Sequence, residues 1–428
     1  MTLDHAHAHA TARPLPARWE AIARLPRGPR AVAGAPLVAA MFRAAVTDLP
    51  LRVEYPDGTA LGAAPGGGPL MLLHRPGDFA ARVAAGGLIG FGEAYMAGDW
   101  SAPHLAAVLT VLASHIDTLV PAPLQRLRAL CLPRQPRAQR GTRAGARANV
   151  AHHYDLSNEF FSLFLDETMT YSSALFDGLD PAPSWTDLAD AQRRKIDRLL
   201  DAAGVGAGAR LLEIGTGWGE LAIRAAQRGA RVHTVTLSRE QQLLARERIA
   251  ATGLADRVTV ALQDYRDVTG RYDAIVSVEM LEAVGYRYLP TYLQTLDRLL
   301  ADGGRVALQA ITMPHERMLA TRRTYTWVHK YIFPGGFLPS VELLEQLTAA
   351  HTGLRVTDRY SFGPHYAHTL RLWLGRFTAR SGSADTLGFD PIFRRMWRLY
   401  LGYSEAGFAS GYLDVHQFVL ARESCRGR

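Results

Sequence analysis

In the second half of the chain, short apolar runs alternate with amphipathic stretches. The runs at 210–214, 231–236, 258–262, 272–278 and 304–311 are rich in Val, Leu and Ala and read as buried strands. Between them, 193–203, 220–228, 239–252 and 288–300 repeat their apolar residues at helical spacing. Strands separated by helices predict βαβ units and a mostly parallel sheet covered on both faces, an α/β architecture. The earlier part of the chain has a different rhythm. Residues 51–55 and 70–74 read as strands, 60–69 as a glycine-rich loop, and 79–85 as a helix, while 88–100 is punctuated by Gly and Asp-Trp. Two aromatic stripes stand out. The stripe at 160–165 has the spacing of a core helix, with a substrate lid as the weaker reading. The one at 325–333 fits the lining of a substrate channel or a core helix equally well.

Changes of composition divide the chain. Residues 1–30 are rich in Ala, Arg, His and Pro and read as a flexible N-terminus. Alternating His5, His7 and His9 there fit a mobile tail better than a weak metal site. A small α+β domain is expected over 31–120. Residues 121–147 carry Pro121, Pro123, Pro133 and Pro136 and seven arginines, the pattern of a basic linker. The α/β domain occupies 148–428.

The 428 residues carry a net charge of +8 with only two lysines, Lys195 and Lys330, among 48 basic residues. Such a surplus calls for an acidic partner: nucleic acid, an anionic membrane, or a phosphorylated substrate. No run of about 18 uncharged apolar residues occurs, which argues against a spanning helix. The N-terminus lacks the order of a signal peptide. Cys131 and Cys425 cannot form a disulfide framework, so a reducing cytoplasm is the expected compartment.

The most specific chemistry lies at a strand-to-helix turn, Glu213-Ile214-Gly215-Thr216-Gly217-Trp218-Gly219. Gly215, Gly217 and Gly219 let a ligand approach the backbone. A dinucleotide turn wants its third glycine where Glu220 stands. A carboxylate beside close glycines instead suits a cofactor with an amino-acid tail and no phosphates, as in S-adenosylmethionine. The next strand ends at Thr236, with Gln241 one turn further, and both can hydrogen-bond a ribose. Asp264, Tyr265 and Arg266 end the third strand, on the side expected for the adenine.

Several segments in order then resemble one family, the cyclopropane-fatty-acyl-phospholipid synthases and their mycolic-acid relatives. They are His153-Tyr154-Asp155-Leu156-Ser157-Asn158, Met169-Thr170-Tyr171-Ser172, 212–219, 235–238, 263–267, 278–285 and 330–340. The resemblance implies a Rossmann-like class I methyltransferase domain that joins the methyl group of S-adenosylmethionine to a cis double bond of an acyl chain. It implies that Tyr171 and Ser172 fold over the methionine end of the cofactor. It further implies a bound bicarbonate ion as base, oriented by Glu282, the backbone of Ile311 and the hydroxyl of Tyr366. Three positions depart from the family pattern: Ser173 replaces a usual Cys, and Ala283 and Gln309 replace His. Ser173 can still offer its backbone amide. Gln309 can donate to an oxyanion but carries no proton. No metal is expected, His152 and His153 included.

The cation left by methyl addition has two fates. Immediate proton loss closes a cyclopropane, whereas a prior hydride shift gives an exocyclic methylene. A base less well placed for closure favours the methylene, with cyclopropane the close competitor. The resemblance also implies unsaturated phospholipids at an anionic membrane surface as partners, peripheral attachment to the inner face of the cell membrane, a homodimer and, for a methylene product, a separate reductase. Two other classes compete: a nucleic-acid methyltransferase, for which no base-holding motif is seen and no nucleic-acid partner is expected, and a non-catalytic lipid-binding protein.

Overall fold

The computed structural model describes residues 16–64, 67–115 and 156–422, with 136, 142 and 145 as isolated positions. His5, His7, His9, Cys131, His152, His153, Cys425 and nearly all of the basic linker lie outside the described residues.

The large sheet contains β5 (Arg210–Ile214), β6 (Arg231–Thr236), β7 (Val258–Leu262), β8 (Tyr272–Val278), β9 (Leu300–Thr312), β10 (Leu354–Ser361) and β11 (Asp414–Arg422). Their order is β10-β11-β9-β8-β5-β6-β7. Neighbours from β9 to β7 run parallel, whereas β11 is antiparallel to both β9 and β10. From β5 the chain crosses to β6 on one side, and β8 pairs on the other. The carboxyl ends of β5 and β8 therefore flank the switch point of the sheet, where α/β proteins open a crevice for ligands. Central strand residues Leu211, Leu212, Ile275 and Val276 are fully buried, as two-sided coverage requires.

Over these strand ends lies a helical layer built from Asn158–Ser162, Gly363–Ala379 and Pro391–Ala409. The 160–165 stripe is its centre. Phe160 sits 4.8 Å from the Trp397 ring, 5.3 Å from Phe393 and 5.9 Å from Phe377, mostly edge-on. The stripe is core, and truncation of Phe160 to Ala would remove about 3–5 kcal/mol.

The first domain has a small sheet ordered β2-β1-β3-β4, from β1 (Arg52–Glu54), β2 (Ala60–Leu61), β3 (Leu70–Leu73) and β4 (Trp100–Ser101). The stretch read as punctuation is a helix, Leu88–Ala97. Its glycines serve packing: a Cβ on Gly92 would stand 2.5 Å from Cδ1 of Trp327. That indole, together with Glu93 bonded to the Tyr331 hydroxyl at 2.7 Å and Arg395 bonded to the Met96 carbonyl at 2.6 Å, joins the two domains. The 325–333 stripe thus forms a short helix, Trp327–Tyr331, that packs on the first domain. The expected mobile N-terminus is corrected in part: Pro16–Ala23 is a helix, because Trp19 and Ile22 are buried in the shared core. Helix Pro29–Thr47 also starts before the expected domain edge and is largely exposed. Among the described residues it is long and apolar enough, by length and composition, to cross a membrane, although it carries Arg30 and Arg43.

Candidate active site

The Gly215–Gly219 turn follows β5 and leads into the helix Glu220–Gln227. All three glycines have positive φ, at 99°, 52° and 93°, a region side chains rarely enter. Their surroundings differ. A Cβ on Gly215 would lie 2.4 Å from Cγ of Met280, so the turns after β5 and β8 meet there. A Cβ on Gly219 would press on Ala245, at 3.2 Å. A Cβ on Gly217 would meet nothing within 4 Å, so this peptide faces open space.

Glu213 is buried, and its Oε2 has no hydrogen-bond partner. Burial pushes this carboxyl up to about 8, against a smaller pull from Thr234. An ammonium group would satisfy the orphaned oxygen, and the amino-acid tail of S-adenosylmethionine carries one. The residues present therefore fit that cofactor. At the end of β6, the Thr236 hydroxyl donates to Gln241 Oε1 at 2.9 Å, and Ser238 caps the following helix, so both predicted ribose ligands are held in place. At the end of β7, Asp264 binds the Arg266 guanidinium at 2.8 and 2.6 Å and the Arg266 N–H at 3.0 Å. Tyr265 packs edge-on to Tyr292. Asp264 and Arg266 thus shape the turn as a pair.

The segment with Tyr171 and Ser172 is fastened from below. Gln192 donates to the Ser172 carbonyl at 2.9 Å, and Lys195 Nζ donates to Ser172 Oγ at 2.6 Å. The Tyr171 hydroxyl donates to that of Tyr400 at 2.8 Å, and its ring packs against Phe161 and Trp373. Arg248 ties the segment to the glycine turn, with bonds to the Thr168 and Trp218 carbonyls at 2.9 and 2.8 Å.

Across the switch point, three of the five expected catalytic positions, Ser173, Gln309 and Tyr366, converge on Glu279, while Ile311 meets Glu282. The Ser173 N–H and Gln309 Nε2 donate to Glu279 Oε1 at 2.9 and 2.8 Å, and the Tyr366 hydroxyl donates to Glu279 Oε2 at 2.6 Å. Gln417 Nε2 donates to Gln309 Oε1 at 3.1 Å, which turns the Gln309 amino group toward the carboxylate. Glu282 stands apart: its Oε1 accepts the Ile311 N–H at 2.5 Å, and its Oε2 has no partner. The carboxyl groups of Glu279 and Glu282 lie deep in the protein, although each residue keeps some accessible surface.

Burial raises both carboxyls. Glu282 reaches about 8 because burial and the charge of Glu279 act together, opposed by the Ile311 N–H. Glu279 is also raised by burial, but Lys195, Tyr366, Ser173 and Gln309 all favour its ionised form. With three donors and a cation, Glu279 keeps the charge, and Glu282 holds a proton at neutral pH. Burial brings Lys195 down to about 8, with Glu279 and then Asp166 opposing. Glu279 adopts φ of 50°, a strained setting for a side chain that stores about 1–3 kcal/mol and is typical of functional sites.

Glu279, Lys195, Gln192 and Gln417 were not singled out from sequence. Lys195 left a readable trace. It occupies the apolar face of its helix, beside Ile196 and Leu199, in a chain that otherwise uses arginine.

A switch-point crevice, a glycine turn under an orphaned carboxylate, and this strand order define a class I S-adenosylmethionine-dependent methyltransferase. The chain belongs to the mycolic acid cyclopropane synthetase family, whose profile matches residues 142–418. It is 58% identical over 408 residues to tuberculostearic acid methyltransferase UfaA1 of Mycobacterium tuberculosis, covering 95% of this chain and 96% of that one. It is 34% identical over 360 residues to the cyclopropane-fatty-acyl-phospholipid synthase of Escherichia coli, covering 83% and 89%. The solved structure of mycolic acid cyclopropane synthase CmaA1 complexed with SAH and CTAB is 33% identical. It superposes with a TM-score of 0.58 and covers 67% of this chain and 98% of its own.

Proposed function

We propose that this enzyme methylates the cis double bond of an unsaturated phospholipid acyl chain and yields an exocyclic methylene. The carrying observation is the placement of the polar Glu279 cluster at the cofactor crevice, directly beneath an aromatic layer. An alkene is a weak nucleophile, so it needs a dry wall to lie against and a base near the cation it leaves. The partly exposed Tyr171 ring, backed by buried Phe161 and Trp373, supplies the wall. When bound, S-adenosylmethionine supplies an electrophilic methyl group. The chain's own residues hold its tail at Glu213 and Gly217 and orient the site through Lys195 and Gln192.

The 58% identity to a tuberculostearic acid methyltransferase supports a branch-forming product over a ring. Conversion of a methylene to a methyl branch needs two electrons and two protons, which a separate reductase would provide. The cyclopropane is the second reading, favoured by the Escherichia coli relative. Product analysis separates them. Lipids from cells expressing the gene should show vinylidene protons by NMR and a one-carbon mass increment. Upfield cyclopropane protons alone would reverse the assignment, and methyl transfer into nucleic acid would replace the reading entirely.

For access to a bilayer, the reading uses peripheral docking at the inner face of the cell membrane. Helix Pro29–Thr47 supports this with outward Val32 and Leu37, 68% and 61% exposed, beside Arg27 and Arg30. The basic linker at 121–147 would add to the same attraction. A homodimer would double the docking face.

A further inference from the structure

The Glu279 carboxylate occupies the centre of the donor set that resemblance assigns to a bicarbonate ion. The Ser173 N–H, the Gln309 amide and the Tyr366 hydroxyl all end on it, at 2.9, 2.8 and 2.6 Å. A bicarbonate ion placed there would find these donors engaged and would add a negative charge beside two carboxyl groups. The residues do not fit the ion. We propose that Glu279 is itself the general base of the reaction, in place of bicarbonate.

The proposal rests on the acyl-methylation reading. The π pair of the alkene forms a bond to the incoming methyl carbon as the C–S bond breaks toward sulfur, and the neighbouring carbon becomes cationic. A hydride then shifts from the methylated carbon to that neighbour. One C–H bond of the new methyl group breaks, its pair becomes the second bond of the exocyclic alkene, and the proton forms an O–H bond on Glu279. The acid returns that proton to solvent, so no further reactant is needed.

Three features suit Glu279 to this role. Its donors hold the carboxylate ionised and fixed. It stands at the carboxyl end of β8, beside the glycine turn, and the residue keeps some accessible surface. Its φ of 50° is a strained backbone setting that a merely structural acid would not need. A structural partner for buried Lys195 is the competing role, and it predicts different behaviour.

The test uses the full-length enzyme, S-adenosylmethionine and dioleoylphosphatidylglycerol vesicles in buffer stripped of carbon dioxide. The wild type should turn over at an unchanged rate whether or not bicarbonate is added. E279Q should lose about 100-fold or more in turnover while calorimetry shows unchanged S-adenosylhomocysteine binding. E279G relieves the positive φ and removes the carboxylate, so it guards against a folding failure of E279Q. It should be inactive in stripped buffer and regain turnover as bicarbonate is added. A wild type that stalls without bicarbonate and recovers with it overturns the proposal and leaves the acyl-methylation reading intact. Near-normal turnover of E279Q or E279G in stripped buffer also overturns it. A wild type that transfers no methyl to the acyl chains under any condition overturns both.

Discussion

The Tyr366 hydroxyl donates to Glu279 Oε2 at 2.6 Å, across 87 residues of sequence. Burial and the negative charge of Glu279 both keep this phenol protonated, so it acts as a permanent donor. Tyr366→Phe removes one of the donors that keep Glu279 ionised. Turnover should fall about 10- to 100-fold, and the acidic limb of the rate profile should move to higher pH. A drop in rate with an unmoved limb would mean that Tyr366 only packs.

Glu282 is the neutral member of the carboxyl pair, so its amide is a close mimic. Glu282→Gln keeps the acceptor for the Ile311 N–H. The loss in turnover should stay below about tenfold, well short of that for Glu279→Gln. Equal losses in steady-state assays would return the principal role to Glu282.

Glu213 ties cofactor binding to pH. Its carboxyl is raised to about 8 by burial, so it is protonated in the free enzyme at neutral pH. An ammonium beside it favours the ionised form, so binding must expel the proton. Affinity for S-adenosylhomocysteine should rise between pH 6 and 8, by up to about tenfold per unit. Calorimetry in buffers of different ionisation enthalpy should count close to one proton released, and buffer-independent heats would refute the assignment. The sign for stability is opposite. A carboxyl raised from 4.5 to about 8 stabilises the free fold most below its unfolded pKa. That contribution declines as pH rises toward 8.

The domain contact has a steric test. Alanine at Gly92 would put a methyl 2.5 Å from Cδ1 and 2.7 Å from Nε1 of Trp327. The indole must shift within a packed interface, at a cost of about 1–3 kcal/mol. Scanning calorimetry should show a melting point lower by several degrees, and an unchanged one would show that the interface yields freely.

Docking of helix Pro29–Thr47 can be separated from folding, because Val32 and Leu37 are exposed. Asp at both positions should weaken sedimentation with anionic vesicles several-fold while leaving the melting point within about one degree. Vesicle binding that ignores both this change and added salt would move the docking face elsewhere.

The central strands were legible because solvent exclusion leaves a local mark. β5 to β8 are short runs rich in apolar residues, and their observed limits match the pattern residue for residue. β9 runs longer at both ends than 304–311, since pairing with β8 and β11 rewards backbone that its side chains do not announce. Gly90 and Gly92 looked like breaks, yet a Cβ on Gly90 would come within 1.9 Å of the Arg82 carbonyl oxygen, so these glycines serve close helix packing. The cofactor turn was equally readable, because a strand, three glycines and a carboxylate are contiguous. The base was not. Glu279 is one acidic residue after a strand, and its donors lie 106, 30 and 87 residues away. Periodicity and turn chemistry act between neighbours in the chain and can be read along it. The ionisation and role of a buried carboxylate depend on groups brought together from distant segments, and only the tertiary fold selects those.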